Sequence, residues 1–427
     1  MKRTMWFTGF LAFVGSLFLV GCFPHSKPAP QLSKNLSYDQ ARYADSAQQV
    51  SRALKTKNND VGLLMDLCAY HHYAGNYQSS NEACQKAARQ ADALYTVSIR
   101  ERVGAHLTSN KAMTFQGDYH ERIFLHIFGM LNYAALGQIQ SALVEARKLD
   151  NKVSYFKNHP GPIPSQYNDD ALGRYISGLL YEVNAEHNDA FIDFRKSIRI
   201  FEREPDLNVP THLPQDAMRT AKRHGMLEEY EELKNHFGIQ TQAAPLSKEY
   251  GEVIVIFENG LVPYKIKKNF LPYYMDRSST VNTARVKSLQ TGKVAQSQPV
   301  RHLGLQVFKR HQERLVHLEP KKINQKMVKN ALSAGVGALE FIFSGGKSSR
   351  RTSSGADLLL TRSIAADLRG WNTLPAQIDM ARLKLKPGKH DLAVKLYGHY
   401  GTELFRGVLK DVMVRPGKRT WLIQKLP

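Results

Sequence analysis

The sequence predicts an α + β protein with more than one domain, in which an irregular helical-repeat array precedes a mainly β, sandwich-like domain with inserted helices. Three observations support this prediction. Apolar residues recur three and four positions apart through residues 37–237, which is the spacing of amphipathic helices. Short β-branched runs separated by Pro-Gly turns fill residues 250–427. Residues 238–249, between these two parts, have the composition of a linker.

Residues 1–21 have the pattern of a bacterial lipoprotein signal peptide. A basic start precedes an apolar run of about 15 residues, which is too short for a membrane-spanning helix. The sequence Leu19-Val20-Gly21-Cys22 then resembles the lipobox of bacterial lipoproteins. This resemblance implies that the chain is cut before Cys22 and that its thiol and new amine are acylated. The alternative is an ordinary signal peptide with an incidental cysteine.

Lipidation at Cys22 has consequences for location. Several acyl chains hold a protein firmly on a bilayer, whereas one chain holds it only marginally. In lipoproteins an aspartate after the cysteine favours retention at the inner membrane, and this chain has Phe23 there. The resemblance therefore implies the periplasmic face of the outer membrane. Residues 22–36 include three prolines, so we expect an extended tether that reaches about 40 Å.

The helical part is predicted to contain three helix–turn–helix units, with breaks at Gly75, Gly137 and the segment 185–187. The second helix of each unit has a small residue soon after the turn, which lets the two helices approach closely. These small residues are Ser80, Ala142 and Ala190.

The three units resemble tetratricopeptide repeats. Four residues of the third unit match the positions where that repeat favours glycine, an aromatic, alanine and an aromatic, namely Gly178, Tyr181, Ala190 and Phe194. The units lie about 62 and 48 residues apart instead of about 34, so the array is expected to be degenerate and irregular. The alternative is a generic helical bundle.

In the C-terminal half, the apolar run Val253 to Phe257 precedes Asn259-Gly260, which predicts a β-hairpin. Further strands are predicted near residues 280–287, 306–308, 381–385, 390–397, 407–414 and 420–424. A helical insertion is predicted at about 321–369. Its basic helix is expected to pack on the sheet, and the alternative is contact with a membrane surface.

The positive charge lies in the β half. Residues 1–250 contain 28 Lys and Arg against 26 Asp and Glu, whereas residues 251–427 contain 31 against 12. This asymmetry predicts an anionic partner for the β domain, and the export signal argues against nucleic acid. Anionic lipid, lipopolysaccharide, peptidoglycan and acidic protein faces remain, and the alternative is a solvated basic surface. The candidate contacts are Arg350, Arg351, Lys418 and Arg419.

Cys68 and Cys84 lie symmetrically about the predicted turn at Gly75. In antiparallel helices such positions face each other, and an oxidising compartment would permit a disulfide. Closing a loop of about 15 residues is worth roughly 3 kcal/mol in the chain-entropy model. The alternative is two buried free thiols that pack as small apolar groups.

The sequence predicts no catalytic residue, metal site or cofactor. It contains no G-x-S-x-G, H-E-x-x-H, Walker loop or C-x-x-C motif. His71 and His72 are adjacent on a helix and point to different faces, which makes them a poor metal pair. The acidic pairs Asp169-Asp170 and Glu228-Glu229 are expected at helix starts or on solvated faces.

Most of residues 37–427 resemble a family of proteobacterial lipoproteins that join a repeat-like helical half to a C-terminal β half. The resemblance lies in "ERIFLHIFGMLNYAALGQIQSALVEARKLD", "VIVIFENGLVPYK" and "ADLRGWNTLPAQIDMARLKLKPGKHDL". It implies this architecture and no settled activity. The cluster around Trp371 is expected to be a structural corner, in which Trp371 packs on the sandwich.

The functional prediction is a non-enzymatic scaffold for assembly or maintenance of the cell envelope. Cys22 anchors it, the helical repeats bind an envelope protein on their long concave face, and the basic β domain binds an anionic envelope component. One alternative is a regulator of peptidoglycan synthesis. Another is a cell-wall-modifying enzyme whose site the sequence does not reveal.

Overall fold

The computed structural model describes most of the chain after residue 35, and the described residues belong to one compact unit. They are residues 36–104, 115–158, 169–240, 247–268, 271–309 and 368–426. The predicted signal peptide, the tether up to residue 35 and residues 321–367 of the predicted insertion lie outside them.

The first half of the described chain is helical, as its periodicity predicts. Its helices are α1 (Leu36–Leu54), α2 (Val61–Tyr73), α3 (Tyr77–Gly104), α4 (Tyr119–Ala135), α5 (Ile139–Asn158), α6 (Ala171–Val183), α7 (His187–Arg203), α8 (His212–His224) and α9 (Leu227–Phe237). Acidic side chains start several of them. Asp170 caps α6 by accepting the Gly173 N–H at 2.8 Å, which confirms the predicted helix start.

Consecutive helices pair as the hairpins α2–α3, α4–α5 and α6–α7. Each turn holds one residue in the left-handed region, namely Gly75, Gly137 and Ala185, with φ angles of 76°, 72° and 63°. In the first turn the Asn76 N–H donates to the His71 carbonyl at 2.9 Å, and the other two turns repeat this bond. The bond satisfies a carbonyl at the helix end. The three predicted breaks are therefore confirmed.

Within a hairpin, the two helices contact each other through a pair of residues that are 16 positions apart in the sequence, and the same pair recurs in the first and third hairpins. In the first hairpin, Cys68 and Cys84 are joined by a disulfide, and their Cα atoms are 5.0 Å apart. In the third hairpin, Gly178 lies against the ring of Phe194, and a Cβ at Gly178 would come within 2.5 Å of that ring. The small residues after the turns are fully buried, as predicted; they are Ser80, Ala142 and Ala190. Close helix contact thus depends on these small residues.

The second half of the described chain forms two four-stranded sheets and a separate hairpin, β2–β3. The strands are β1 (Gly251–Asn259), β2 (Tyr264–Lys268), β3 (Leu271–Met275), β4 (Val281–Ser288), β5 (Val294–Gln296), β6 (Gln298–Arg301), β7 (Gln377–Leu385), β8 (Gly388–Gly398), β9 (Glu403–Val414) and β10 (Arg419–Lys425). We call β10-β1-β7-β6 the inner sheet and β5-β4-β8-β9 the outer sheet. Side chains of both sheets share one apolar core, as in a β-sandwich.

Two predictions about the β half are wrong. Asn259-Gly260 ends β1, but β1 does not fold back on β2; it pairs in parallel with β10 and antiparallel with β7. The apolar run of β1 is buried on both faces, which is the pattern of a central strand. Residues 303–309 are helical rather than a strand, because Leu303 and Val307, four residues apart, are buried on one side in the core.

The inner sheet lies between the helices and the outer sheet. On β1, Val253, Val255 and Phe257 face the outer sheet. The alternate residues Ile254 and Ile256 join the core formed by the helices. One apolar core therefore contains residues from both the helical half, which precedes the predicted linker, and the β half, which follows it.

A carboxyl group is buried inside the sandwich. Asp379 on β7 is 2% exposed and lies opposite Phe257 in the strand register. It accepts one hydrogen bond, from the Gln377 amide at 2.8 Å. Burial raises the pKa of Asp379 to about 7, and the hydrogen bond from Gln377 offsets only part of that effect.

Asp379→Asn is expected to stabilise the protein at pH 8 by roughly 3 kcal/mol and to have little effect at pH 4. The folded-state pKa exceeds the unfolded value of about 4, so ionisation of Asp379 costs stability progressively as the pH rises from about 4 to about 7. Asparagine keeps the oxygen that accepts from Gln377. Urea unfolding at both pH values measures the difference.

The matched control is Asp411→Asn, since the Asp411 side chain is 73% exposed. It is expected to change the free energy of unfolding by less than about 0.5 kcal/mol at either pH. A gain for Asp379→Asn that is the same at pH 4 and pH 8 would contradict the buried-charge explanation.

Candidate functional site

The first helix of each of the three hairpins faces the β half, and so does α8. Four contacts show this arrangement: His72 of α2 with Glu258 of β1, Phe128 of α4 with Trp371, Tyr175 of α6 with Arg382 of β7, and Asp216 of α8 with Arg382. The sequence predicts a long free face on the helical array for a partner. The face formed by α2, α4, α6 and α8 is instead covered by the chain's own inner sheet.

Six buried charges form a closed ring across this junction. Their order is Arg382 (β7), Glu252 (β1), Arg419 (β10), Glu182 (α6), Arg219 (α8) and Asp216 (α8), and Asp216 returns to Arg382. The six N–O distances around the ring are 2.6, 2.8, 2.6, 2.5, 2.6 and 3.1 Å. The ring is electrically neutral, and each guanidinium bridges two carboxylates, which suits its planar fork of donors.

The arginines keep the carboxylates of the ring ionised. Burial alone raises the pKa of Glu182, but the charges of Arg419 and Arg219 and the hydrogen bond from Arg219 outweigh it and hold the pKa at about 2. The same competition lowers the pKa of Asp216, mainly through Arg382. The ring therefore stays charged at neutral pH although it is almost fully desolvated.

The prediction that Arg419 contacts an external anion is wrong. Its side chain is 1% exposed. All three of its donor nitrogens have partners inside the protein: Glu252 at 2.8 Å, Glu182 at 2.6 Å and the Leu179 carbonyl at 2.6 Å. A guanidinium that is buried and bonded through each of its nitrogens inside the protein is not open to an external ligand.

The other candidate residues lie apart from this junction. Lys418 is exposed in the turn before β10. Cys22, Arg350 and Arg351 lie outside the described residues. Trp371 is buried but packs edge-on against Phe128 of α4, with ring centroids 5.6 Å apart, so it contacts the helical side of the junction.

His72 is the centre of a second polar link. Its Nδ1 lies 2.5 Å from Asn132 Oδ1, and its Nε2 lies 2.9 Å from Glu258 Oε1. The Asn132 amide nitrogen in turn donates to Ser80 and Asn81 of α3. His72 thus joins β1 to α2, α3 and α4 and has a structural role.

A cleft opens on the opposite side of the hairpins, between α3 and α5, with α4 as its floor. Its volume is about 540 Å³. It is lined by Asn81, Cys84, Gln85, Ala88, Arg89, Asp92, Leu125, His126, Gly129, Tyr133, Glu145, Lys148, Asn151, Lys152 and Tyr155. The lining combines apolar surface with amides, charges of both signs and aromatic rings, which suits a peptide segment that carries both polar and apolar groups.

A buried histidine and glutamate form the floor of this cleft. His126 Nδ1 lies 2.8 Å from Glu145 Oε2, and Lys148 Nζ lies 2.7 Å from Glu145 Oε1. A Cβ at Gly129 would come within 2.9 Å of Glu145, so glycine leaves the room that Glu145 needs to cross α4. Burial alone raises the pKa of Glu145, but His126 and Lys148 outweigh it and lower that pKa. The cleft therefore offers an ionised carboxylate and an imidazole.

The outer sheet turns a basic face away from the core. Arg285 of β4 lies directly opposite Lys395 of β8, and Lys395 lies directly opposite Arg406 of β9. We call these three residues the cation row. Glu403 is the carboxylate beside it and bonds Lys395 at 2.9 Å and Arg406 at 2.8 Å. Three cations in adjacent cross-strand positions repel one another, since like charges directly opposite are destabilising.

The described residues contain no group of three or more side chains suited to holding a metal ion. Among the same residues, no helix has the length and apolar character needed to cross a membrane.

Among the comparisons with known proteins, the matches come from solved structures. No protein-family model matches the sequence, and no curated protein matches it. The crystal structure of MamA protein aligns with 49% of this chain and 92% of its own, with 13% identity and a TM-score of 0.30. BtubC (BKLC) from P. vanneervenii aligns with 50% of this chain and 96% of its own, with 10% identity and a TM-score of 0.25.

A third solved structure, a Podosopora anserina putative kinesin light chain with nearly identical TPR-like repeats, covers 46% of this chain and 93% of its own. Its identity is 15% and its TM-score 0.22. Scores this low carry no argument about function. The turn geometry and the Gly178–Phe194 contact support a tetratricopeptide-like helical region joined to a β-sheet region.

Sequence reasoning missed the six-charge ring, because its members lie on five elements that are far apart in the chain. One local signal was available. On β7, Arg382 shares a face with Ile378 and Met380, which join the core with the helices. A charged residue on an otherwise buried strand face requires a buried partner.

Arg382→Met is expected to lower the free energy of unfolding by about 3–5 kcal/mol, because Asp216 and Glu252 each lose a partner in a desolvated site. Methionine fills much of the same volume, so the loss reports mainly on charge. Chemical denaturation at pH 7 measures it.

Arg406→Met is the matched control, because Arg406 also pairs with a carboxylate but its side chain is 64% exposed. It is expected to cost less than about 1 kcal/mol. Equal losses in the two variants would show that the ring does not hold the junction together.

Proposed function

We propose that this protein is a lipid-anchored scaffold on the periplasmic face of the outer membrane, without enzymatic activity, that acts in cell-envelope assembly or maintenance. The lipobox at Cys22 supports the anchor and the location. The observation that carries the scaffold proposal is the covered face of the helical array. Because the inner sheet covers that face, the helices and sheets form one body. The opposite side of the hairpins and the outward face of the outer sheet remain available to partners.

We propose that the partner protein binds in the cleft between α3 and α5. The cleft lies on the side of the hairpins that the inner sheet leaves open, and its length along α3 spans Asn81 to Asp92. The eleven helical steps from Asn81 to Asp92 extend about 16 Å, which matches about five residues of extended peptide. Amides along the cleft can pair with peptide N–H and C=O groups. The cations Arg89, Lys148 and Lys152 outnumber the lining carboxylates Asp92 and Glu145, which favours an acidic segment.

Anchoring is tested with Cys22→Ser. The wild-type protein is expected in the outer-membrane fraction with an acylated amino terminus at Cys22, and the variant is expected to leave that fraction because it has no acyl chain. Cell fractionation and mass spectrometry of the mature protein measure both. The control is Cys68→Ala/Cys84→Ala, which removes the other two cysteines and should stay in the membrane fraction. An unmodified Cys22 in the wild type would overturn the anchoring proposal.

Partner binding is tested by photo-crosslinking in intact cells, with the photoreactive amino acid placed at Arg89 or at Lys86. Both residues are exposed on α3, but only Arg89 lines the cleft. Arg89 is expected to yield a crosslinked envelope protein and Lys86 is not. Recovery of no protein from Arg89, or of the same proteins from both positions, would contradict the proposed cleft.

A further inference from the structure

We infer that the outward face of the outer sheet docks on an anionic phospholipid bilayer, with the cation row Arg285–Lys395–Arg406 binding lipid phosphates. This inference rests on the proposed membrane location, because it names which anionic envelope component the β half meets. The proposed contact with the anion is on the strands of the outer sheet and not in the turn at Lys418, which the sequence predicts.

The charges of the outer sheet favour an anion on this face. Its four strands hold six cations and three carboxylates. Two of the carboxylates are occupied away from the cation row: Asp391 accepts the backbone N–H of Asp411 at 3.0 Å, and Asp411 pairs with Lys389 at 3.4 Å. Only Glu403 offsets the row, so the row keeps a net positive charge.

The arrangement within the row favours a ligand with several negative groups. Arg285, Lys395 and Arg406 follow one another across three strands, and neighbouring strands lie about 4.8 Å apart. The mutual repulsion of the row costs stability in the free protein. An array of phosphates relieves that repulsion at all three positions together, whereas a single carboxylate reaches only one or two.

The next row on the same face adds apolar side chains. Lys287 of β4 lies between Val294 of β5 and Ala393 of β8, and Ala393 lies opposite Val408 of β9. Val294 and Val408 are 54% and 44% exposed. Exposed valines beside cations suit the headgroup region of a bilayer, where apolar groups bury shallowly and cations meet phosphates. They offer nothing to a purely polar glycan.

The test uses the chain from residue 22 onward with Cys22→Ser, so that binding depends on the protein surface and on neither an acyl chain nor the apolar signal segment. Co-sedimentation compares vesicles of phosphatidylcholine alone with vesicles containing phosphatidylglycerol. We expect binding only to the second kind, and the affinity should fall steeply with salt.

Arg285→Gln/Lys395→Gln/Arg406→Gln is expected to bind roughly 100-fold more weakly, since each cation near an anionic surface contributes about a factor of five. Its melting temperature should change little, because the loss of the ion pairs with Glu403 and the loss of repulsion within the row act in opposite directions. The control Lys386→Gln/Arg415→Gln/Lys418→Gln removes three exposed cations from turns outside the face and is expected to keep most of the affinity.

Equal losses in the two triple variants would show dependence on net charge alone and overturn the inference. Binding to purified sacculi but not to anionic vesicles would also overturn it and would favour peptidoglycan. Both outcomes are independent of whether Cys22 is acylated in cells, so this inference and the anchoring proposal can fail separately.

Discussion

The six-charge ring is the interaction on which the arrangement of the two halves depends. Three guanidinium groups and three carboxylates from five elements neutralise one another where water is excluded. Such a ring specifies geometry more than it adds stability, because burying charges costs about as much as their pairing returns. Any shift of the helices against the inner sheet would leave a buried charge unpaired. Apolar contacts, including that of Trp371 with Phe128, fill the rest of the junction between the helices and the inner sheet.

Because of the ring, not all of the positive charge of the β half lies on its surface. Part of the basic excess of the β half is internal, since Arg382 and Arg419 pair with helical carboxylates. Arg301 does the same with Asp170 at 2.9 Å. These arginines are buried and contribute little to an external field. The basic residues of the outer sheet are different, because they lie in strand positions where cation faces cation and carboxylates are few.

The two sides of the body therefore have different roles. The inner sheet covers the face of the first helices, and a cleft between α3 and α5 stays open on the helical side. The outer sheet presents the cation row on the far side. A protein partner and an anionic surface can thus bind without competing for the same residues.

The sequence alone determined the local structure. Helical periodicity predicts the hairpins, and its interruptions at Gly75, Gly137 and residues 185–187 predict their breaks. Small residues such as Ala190 predict the close contacts, since these features depend on neighbours within about 20 residues. The tertiary structure decided the partners of β1, the burial of Arg419 and the covering of the helical face. The physical reason is that a strand or a charge does not encode locally which distant element it meets. Arg419 looks like any surface arginine until Glu182, 237 residues earlier, lies beside it.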